Sequence, residues 1–133
     1  MKIRVGVFFG GKSVEHEVSV ISGLQAYNSF DKEKYEPIAI YITKENELYT
    51  GECIADIGNY KNIPELLKKS IRVFLMCNDG KVQLIRYPQK KFGDSVVAEI
   101  DVAFPVVHGA NVEDGSIPVY RWFSQTTIQT IHA

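Results

Sequence analysis

A run of small, polar and charged residues follows the first apolar segment and is the first place where chemistry could occur. It reads Gly-Gly-Lys-Ser-Val-Glu-His-Glu-Val-Ser from Gly10 to Ser19. The two glycines can adopt positive φ and admit another backbone or a ligand at close range. Ser13 stands at a helix N-cap position, and Glu15 lies in the first turn, where the helix dipole favours an anion. The run therefore predicts a glycine turn and a capped helix, the edge of a βα unit that presents free backbone N–H groups to a ligand.

Three known motifs match this run in part. Residues Gly6–Ser13 fit the phosphate-binding pattern G-x-x-x-x-G-K-S, but Val7–Phe9 are expected to pack within a strand, so we interpret the match as accidental. His16 and Glu17 begin a zinc-binding H-E-x-x-H helix, but Val20 occupies the second histidine position. The nucleophile pattern G-x-S-x-G fails for want of its last glycine. On spacing alone, a tight βα loop without chemistry is the favoured interpretation.

A second polar loop, His108 to Ser116, follows the apolar stretch 96–107. Taken alone, His108 is expected to be a hydrogen-bonded loop histidine. Glu113 and Asp114 are expected to hold their own loop rather than bind magnesium. In open α/β sheets, ligands bind beyond the carboxyl ends of the strands. The two polar loops are therefore predicted to line one crevice.

The elements that position these loops follow from the periodicity of apolar residues. The helix that begins near Val14 and ends between Asn28 and Asp31 should bury Val14, Val18, Ile21 and Leu24 (or Gln25). Asn78-Asp79-Gly80 predicts a hairpin. The predicted strands span 3–9, 35–43, 47–50, 72–77, 81–87 and 96–107, and a second helix spans 62–70. The fold class is α/β: a three-layer, Rossmann-like open sheet, mostly parallel, with one β-hairpin.

Length and composition exclude several classes of protein. The chain has 133 residues, a formal charge of −1 and a hydrophobic fraction of 45%. This predicts one domain with no electrostatic affinity for nucleic acid or for a membrane surface. Cys53 and Cys77 have neither disulfide nor zinc-site spacing and are expected to be reduced, semi-buried thiols. The chain enters an apolar strand at once and has no membrane-length apolar run, so we expect a cytoplasmic protein.

Both polar loops resemble the sequence signatures of one enzyme family. Gly10–Ser19 is similar to the first signature of D-alanine–D-alanine ligases, and His108–Gly115 is similar to the second. These ligases are ATP-grasp enzymes that make the dipeptide terminus of peptidoglycan precursors. The similarity covers roughly residues 2–117, including the stretch Asp-Val-Ala-Phe-Pro-Val-Val-His-Gly that leads into the second loop.

The resemblance implies a role for each candidate site residue. Glu15 would bind the ammonium group of the first D-alanine, Val18 would contact its methyl group, and His108 would lie beside its carboxylate. Glu15 and His108 are therefore the catalytic candidates. The residues that would shape the site through their backbone, or by capping the helix, are Gly10, Gly11, Gly109 and Ser13.

The resemblance also implies parts of the enzyme that this chain does not contain. We expect a ligase N-terminal domain at 1–117, with no central or ATP-grasp domain after it, so the chain alone should be inactive. ATP and Mg²⁺ are expected in the full-length family, at sites outside this chain. The second-substrate contacts lie outside it as well, so D-alanine, D-lactate and D-serine all stay open as second substrates.

The chain departs from the family pattern near its end. Val112 stands where the family usually has glycine, and Pro118-Val119 replaces the usual Gln-Gly. Residues 118–133 form an atypical tail, which either a shift of reading frame or an artificial chain end would explain. Trp122 and Phe123, or a second copy of the chain in a homodimer, could cover apolar surface left exposed. The alternative function is a stand-alone module for small-anion binding or dimerisation.

Overall fold

A computed structural model describes residues 2–11, 16–78, 81–88, 93 and 95–106. Two short 3₁₀ segments, Glu52–Ala55 and Ile57–Lys61, precede the second helix. The strands are β1 (Ile3–Gly10), β2 (Tyr35–Ile42), β3 (Leu48–Thr50), β4 (Ile71–Asn78), β5 (Lys81–Arg86), β6 (Val96–Ile100) and β7 (Val102–Val106), and the helices are α1 (His16–Ser29) and α2 (Ile63–Lys69). Apart from the stretch 96–107, these elements agree with the predicted ones to within a few residues at each end.

The strands form one mixed sheet in the order β6-β5-β4-β3-β2-β1-β7. The predicted open α/β sheet and its β4–β5 hairpin are confirmed. The prediction that most strands are parallel is wrong, because β1 is parallel to β2 and β7 while the other four neighbouring pairs are antiparallel. Short connections, such as residues 43–47 between β2 and β3, allow only an antiparallel return, since a parallel one needs a long crossover.

The helices in the described part of the chain lie on one face of the sheet. Val20 and Leu24 of α1 and Leu66 of α2 share a buried cluster with Phe9 and Tyr41. The cluster on the opposite face consists of strand residues alone. There the sheet curls until Ile100 of β6 lies over Gly6 of β1, where an added Cβ would be 2.9 Å from the Ile100 side chain. The third, helical layer that we predicted is not found among the described residues.

The apolar stretch 96–107 forms two strands rather than the single predicted strand. Residues 96–100 pair antiparallel with β5, whereas residues 102–106 pair parallel with β1 at the opposite edge of the sheet. The chain switches edges at Asp101, whose N–H group donates to the carbonyl of Arg4 over 2.8 Å. The stretch 96–107 is mostly apolar, and Asp101 was the one sequence signal at the point of the bend.

Helix α1 buries a different face from the one predicted. Val18 and Ile21 are 52% and 50% exposed. The prediction is confirmed at Leu24, which is buried together with His16, Ser19, Val20 and Gly23. Gly23 allows the helix to approach β1 closely, since an added Cβ would lie 2.4 Å from the Cβ of Phe9. The apolar pattern was misleading at Val18 and Ile21 because the polar and small residues His16, Ser19 and Gly23 share the buried face with Val20 and Leu24.

The start of α2 follows its sequence signals. Asn62 caps the helix by accepting a hydrogen bond from the Glu65 N–H group over 3.2 Å, and Pro64 occupies the first turn. No helix in the ranges that the structure describes is long and apolar enough to cross a lipid bilayer.

Candidate functional site

The two polar loops leave the sheet from adjacent strands. Strands β1 and β7 are parallel neighbours, and Phe9 lies opposite Val106 in their register. β1 ends at Gly10 and β7 ends at Val106. The chain therefore enters both loops at the carboxyl ends of neighbouring parallel strands, which form one edge of the sheet. This confirms the predicted common edge, which is the position where open α/β sheets bind ligands.

A buried serine of α1 connects the ends of these two strands. The hydroxyl of Ser19 accepts a hydrogen bond from the Gly10 N–H group over 2.9 Å. The same hydroxyl donates to the carbonyl oxygen of Val106 over 2.5 Å. Ser19 is 0% exposed. A single side chain therefore fixes the last residue of β1 relative to the last residue of β7.

Gly10 and Gly11 adopt the positive φ values that we predicted, 98° and 96°. The group that approaches Gly10 closely is another backbone segment, because an added Cβ would lie 2.3 Å from the carbonyl oxygen of Ile42. The Gly11 N–H group donates to that same oxygen over 2.8 Å. With the Gly10 N–H group bound to Ser19, neither glycine presents a free donor to a ligand. The prediction of free N–H groups is wrong at these two positions.

The phosphate-binding motif match is accidental, as we expected. Gly6 pairs with Ile38 on one side and Ala103 on the other, within the sheet. Val7, Phe8 and Phe9 are 0% exposed. Residues that should form a loop around phosphates in a true P-loop are thus the middle of a buried strand.

His16 is a structural residue of the glycine turn. Its Nδ1 atom lies 2.6 Å from the carbonyl oxygen of Gly11, and its Nε2 atom lies 2.7 Å from the Tyr41 hydroxyl. A carbonyl can only accept, so Nδ1 carries the proton and Nε2 accepts from Tyr41. Burial raises the pKa of Tyr41 to about 12, with smaller contributions from Glu45 and Glu17. Tyr41 therefore stays a hydroxyl donor at neutral pH.

The predicted site residues are only partly covered by the structure. Val18 lies on the exposed side of α1, two residues after the buried first residue His16. Gly10 and Gly11 are buried at the end of β1. The predictions for Ser13, Glu15, His108, Gly109, Val112, Glu113, Asp114 and residues 118–133 fall outside the described residues.

A cleft of about 590 Å³ lies beside the start of α1. Its lining includes Val20, Tyr41, Tyr60 and Leu67, with Glu17, Lys44, Glu45 and Lys61 among its charged residues. The Tyr60 hydroxyl already donates to the carbonyl of Ile54 over 2.7 Å. His16, which contacts the Gly11 carbonyl oxygen, also lines the cleft, whereas Val18 does not. The cleft therefore adjoins the glycine turn at the end of β1.

The described residues hold no cluster of metal-ligating side chains. Within the part of the chain that the structure covers, no three His, Cys, Asp or Glu side chains lie close enough to share a metal ion. Cys53 is half-buried and Cys77 is exposed, and both are free thiols. Exposure of Cys77 differs from the predicted semi-buried state.

The sequence patterns missed three residues that shape the site, namely His16, Ser19 and Tyr41. His16 and Ser19 are spaced three residues apart on α1 and lie within the first signature. The available signal for these two residues was their helical spacing within the polar run Gly10–Ser19. Tyr41 gave none, because a tyrosine in an apolar strand is most simply read as core.

An open sheet in which adjacent parallel strands end together defines the class of open-sheet α/β domains, in which the carboxyl ends of the strands are the usual place for a ligand. The chain belongs to the family described as D-ala D-ala ligase N-terminus, whose model matches residues 4–125. It is similar to the D-alanine–D-alanine ligase of Thermosipho melanesiensis, with 39% identity over 114 residues, or 86% of this chain and 30% of that protein. Its identity to the ligase of Caldicellulosiruptor bescii is 41% over 118 residues, or 87% of this chain and 30% of that protein.

Solved structures show the same fold. The VanG D-Ala:D-Ser ligase of Enterococcus faecalis matches with a TM-score of 0.66 and 25% identity, over 96% of this chain and 35% of that one. The D-alanine–D-alanine ligase of Helicobacter pylori matches with a TM-score of 0.68 and 22% identity, over 96% of this chain and 36% of that one. The chain thus spans about 30% of the length of the curated relatives given above.

Proposed function

We propose that this chain forms the part of an ATP-dependent D-alanine–D-alanine ligase that binds the first D-alanine, in the synthesis of peptidoglycan precursors. One observation carries the proposal beyond family membership. The loops that hold the two family signatures start from adjacent parallel strands, with Phe9 opposite Val106. Residues near the starts of both loops can therefore reach one small zwitterion.

The proposed roles follow the chemistry of the amino acid. Glu15 immediately precedes the first residue of α1, where the positive end of the helix keeps a carboxylate ionised. Its hydrogen bond to the substrate ammonium is worth about 1.5–3 kcal/mol. Val18, one turn along and 52% exposed, offers an apolar contact to the methyl group. His108 follows Val106 by two residues and is assigned to the substrate carboxylate, with Gly109 beside it.

The chain's own contribution is limited to holding the first substrate. In the proposed whole enzyme, ATP and Mg²⁺ activate the D-alanine carboxylate for attack by a second amine, and their sites lie outside the described residues. Glu15 would fix the ammonium end and His108 the carboxylate end, so that the carboxylate points away from α1. We further propose that the protein is cytoplasmic, and that it forms a homodimer, since Ile21 leaves apolar surface exposed on α1.

The binding role can be tested by titrating the isotope-labelled chain with D-alanine and following amide NMR shifts. One or two charge-assisted contacts predict a dissociation constant between roughly 1 and 100 mM. Saturable shifts near Gly11 and His16 are expected, with weaker shifts from L-alanine. Glu15→Gln should weaken binding roughly 10- to 100-fold, because the ammonium loses its ionised partner. Equal responses to D-alanine and L-alanine, or an unaffected Glu15→Gln variant, would contradict the proposal.

The same titration addresses the small-anion alternative. The occupied N–H groups of Gly10 and Gly11 disfavour an anion site in this turn. Inorganic phosphate should therefore leave the Gly10 and Gly11 amide shifts unchanged. Phosphate-dependent shifts in the absence of a D-alanine response would favour the anion-binding module instead.

Catalytic inactivity of the isolated chain is a separate expectation. Incubation with ATP, Mg²⁺ and D-alanine should release no phosphate above the background of a protein-free sample. Turnover that co-purifies with the chain and is lost in Glu15→Gln would show that the chain is sufficient for catalysis.

A further inference from the structure

We infer that Ser19 is a positioning residue of the D-alanine site, holding the bases of both signature loops at a fixed separation. This inference rests on the proposed function, since it assigns the two loops to one substrate. Ser19 acts through Gly10, which opens the first loop, and Val106, which precedes the second.

The geometry of the hydroxyl supports a tie between strands rather than a local helix contact. A serine inside a helix often donates to the carbonyl four residues earlier in its own helix. The Ser19 hydroxyl instead points away from its own helix toward the sheet, where it accepts a hydrogen bond from the Gly10 N–H group and donates one to the Val106 carbonyl. Val106 lies 87 positions away in sequence. The hydroxyl thus links three elements, α1, β1 and β7, at one buried point.

The chemistry of the bridge restricts which side chain can make it. The Gly10 N–H group needs an acceptor, whereas the Val106 carbonyl needs a donor. A hydroxyl provides both from one atom, which alanine, valine and leucine cannot. Because the site is 0% exposed, water has no ready access to replace a lost partner. Removing the hydroxyl should therefore let the ends of β1 and β7 move relative to each other.

The consequence for function is a loss of preorganisation. If Glu15 and His108 bind opposite ends of one amino acid, their separation must match the length of that molecule. A displacement of about 1 Å in such a site can cost up to 100-fold in rate or affinity. We expect Ser19→Ala to weaken D-alanine binding by roughly 10-fold, within the range that such misplacement allows.

The experiment compares four variants of the full chain, using D-alanine as the probe. Ser19→Ala should weaken D-alanine binding and accelerate hydrogen exchange of the Gly10 amide. Ser19→Thr retains a hydroxyl and should restore both properties in part. Leu24→Ala removes an apolar contact of the same helix, where Leu24 is 4% exposed, and lowers stability without touching either strand end. Ser29→Ala removes an exposed hydroxyl that donates to Ala26 and serves as the matched serine control.

A purely structural role is recognised by the Leu24→Ala control. If Ser19→Ala and Leu24→Ala both lower the melting temperature but neither changes the D-alanine dissociation constant of the folded chain, the inference is wrong. Faster Gly10 exchange without weaker D-alanine binding in Ser19→Ala also overturns it and leaves the proposed function intact. Absence of a D-alanine response in the unmutated chain would instead count against the proposed function itself. Weaker binding in Ser19→Ala alone, with recovery in Ser19→Thr, supports the inference.

Discussion

Arg4 and Asp101 exchange hydrogen bonds at the point where the chain passes from one edge of the sheet to the other. The Arg4 N–H group donates to the Asp101 carboxylate over 2.9 Å, and the Asp101 N–H group donates to the Arg4 carbonyl over 2.8 Å. The Arg4 guanidinium lies 3.5 Å from the same carboxylate. These contacts hold the bend between β6 and β7, and through β7 they fix where the second signature loop begins.

The bend gives a first prediction. Asp101→Ala removes the acceptor of the Arg4 N–H group and the partially exposed ion pair, and should destabilise the fold by about 1 kcal/mol. Asp101→Asn keeps an oxygen acceptor and should cost less. Urea denaturation of both variants measures the difference. Equal losses in the two variants would show that the charge, not the backbone contact, holds the bend.

The packing of α1 against β1 gives a second prediction. Gly23→Ala places a methyl group 2.4 Å from the Phe9 Cβ atom, so the helix must move away from the sheet. We expect a loss of roughly 1–3 kcal/mol in the free energy of unfolding, typical of overpacking. Gln25→Ala on the exposed side of the same helix is the control and should change stability by less than about 0.5 kcal/mol. A neutral Gly23→Ala variant would contradict the close contact.

Val18 and Val20 provide a matched pair for separating binding from stability. Val18 is 52% exposed and Val20 is 4% exposed. Val20→Ala should destabilise the chain by roughly 2 kcal/mol, since two methyl groups leave the core. Val18→Ala should leave the free energy of unfolding nearly unchanged but weaken D-alanine binding. Thermal unfolding and the NMR titration measure the two effects, and an unaltered D-alanine affinity in Val18→Ala would remove Val18 from the proposed site.

The buried tyrosines predict a loss of stability at high pH. An unfolded tyrosine ionises near pH 10, whereas the pKa of Tyr41 is raised to about 12, chiefly by burial. Tyr41 therefore contributes fully below about pH 10, and its contribution is lost as pH rises from 10 toward 12. The loss from this group should be on the order of 2–3 kcal/mol.

The measurement is urea denaturation between pH 8 and pH 12. Burial also raises the pKa of Tyr60, whose ring centroid lies 5.3 Å from that of Tyr41, so it acts in the same direction. Tyr41→Phe should start from a lower stability, because the hydrogen bond to His16 is lost. Its stability should then fall less steeply above pH 10 than that of the unmutated chain. Parallel pH profiles would show that Tyr41 is not the group responsible.

The sequence by itself determined most of the local structure and the two signature loops. Periodic apolar residues located the strands, Asn62 and Pro64 marked the start of α2, and glycines 10 and 11 marked a turn with positive φ. These signals are local: each depends on a few neighbouring residues and on backbone conformations that the residue types prefer. The family resemblance likewise needed only the residues within the two signatures.

Only the tertiary structure decided which face of α1 is buried and where the apolar stretch 96–107 divides. It also decided that Ser19 and His16 form hydrogen bonds to the backbone of distant or turn residues. These outcomes depend on partners such as Val106 and Tyr41 that are remote in sequence, so no local pattern encodes them. The physical reason is that burial of a polar side chain is favourable only when a partner is in place, and the fold alone brings that partner.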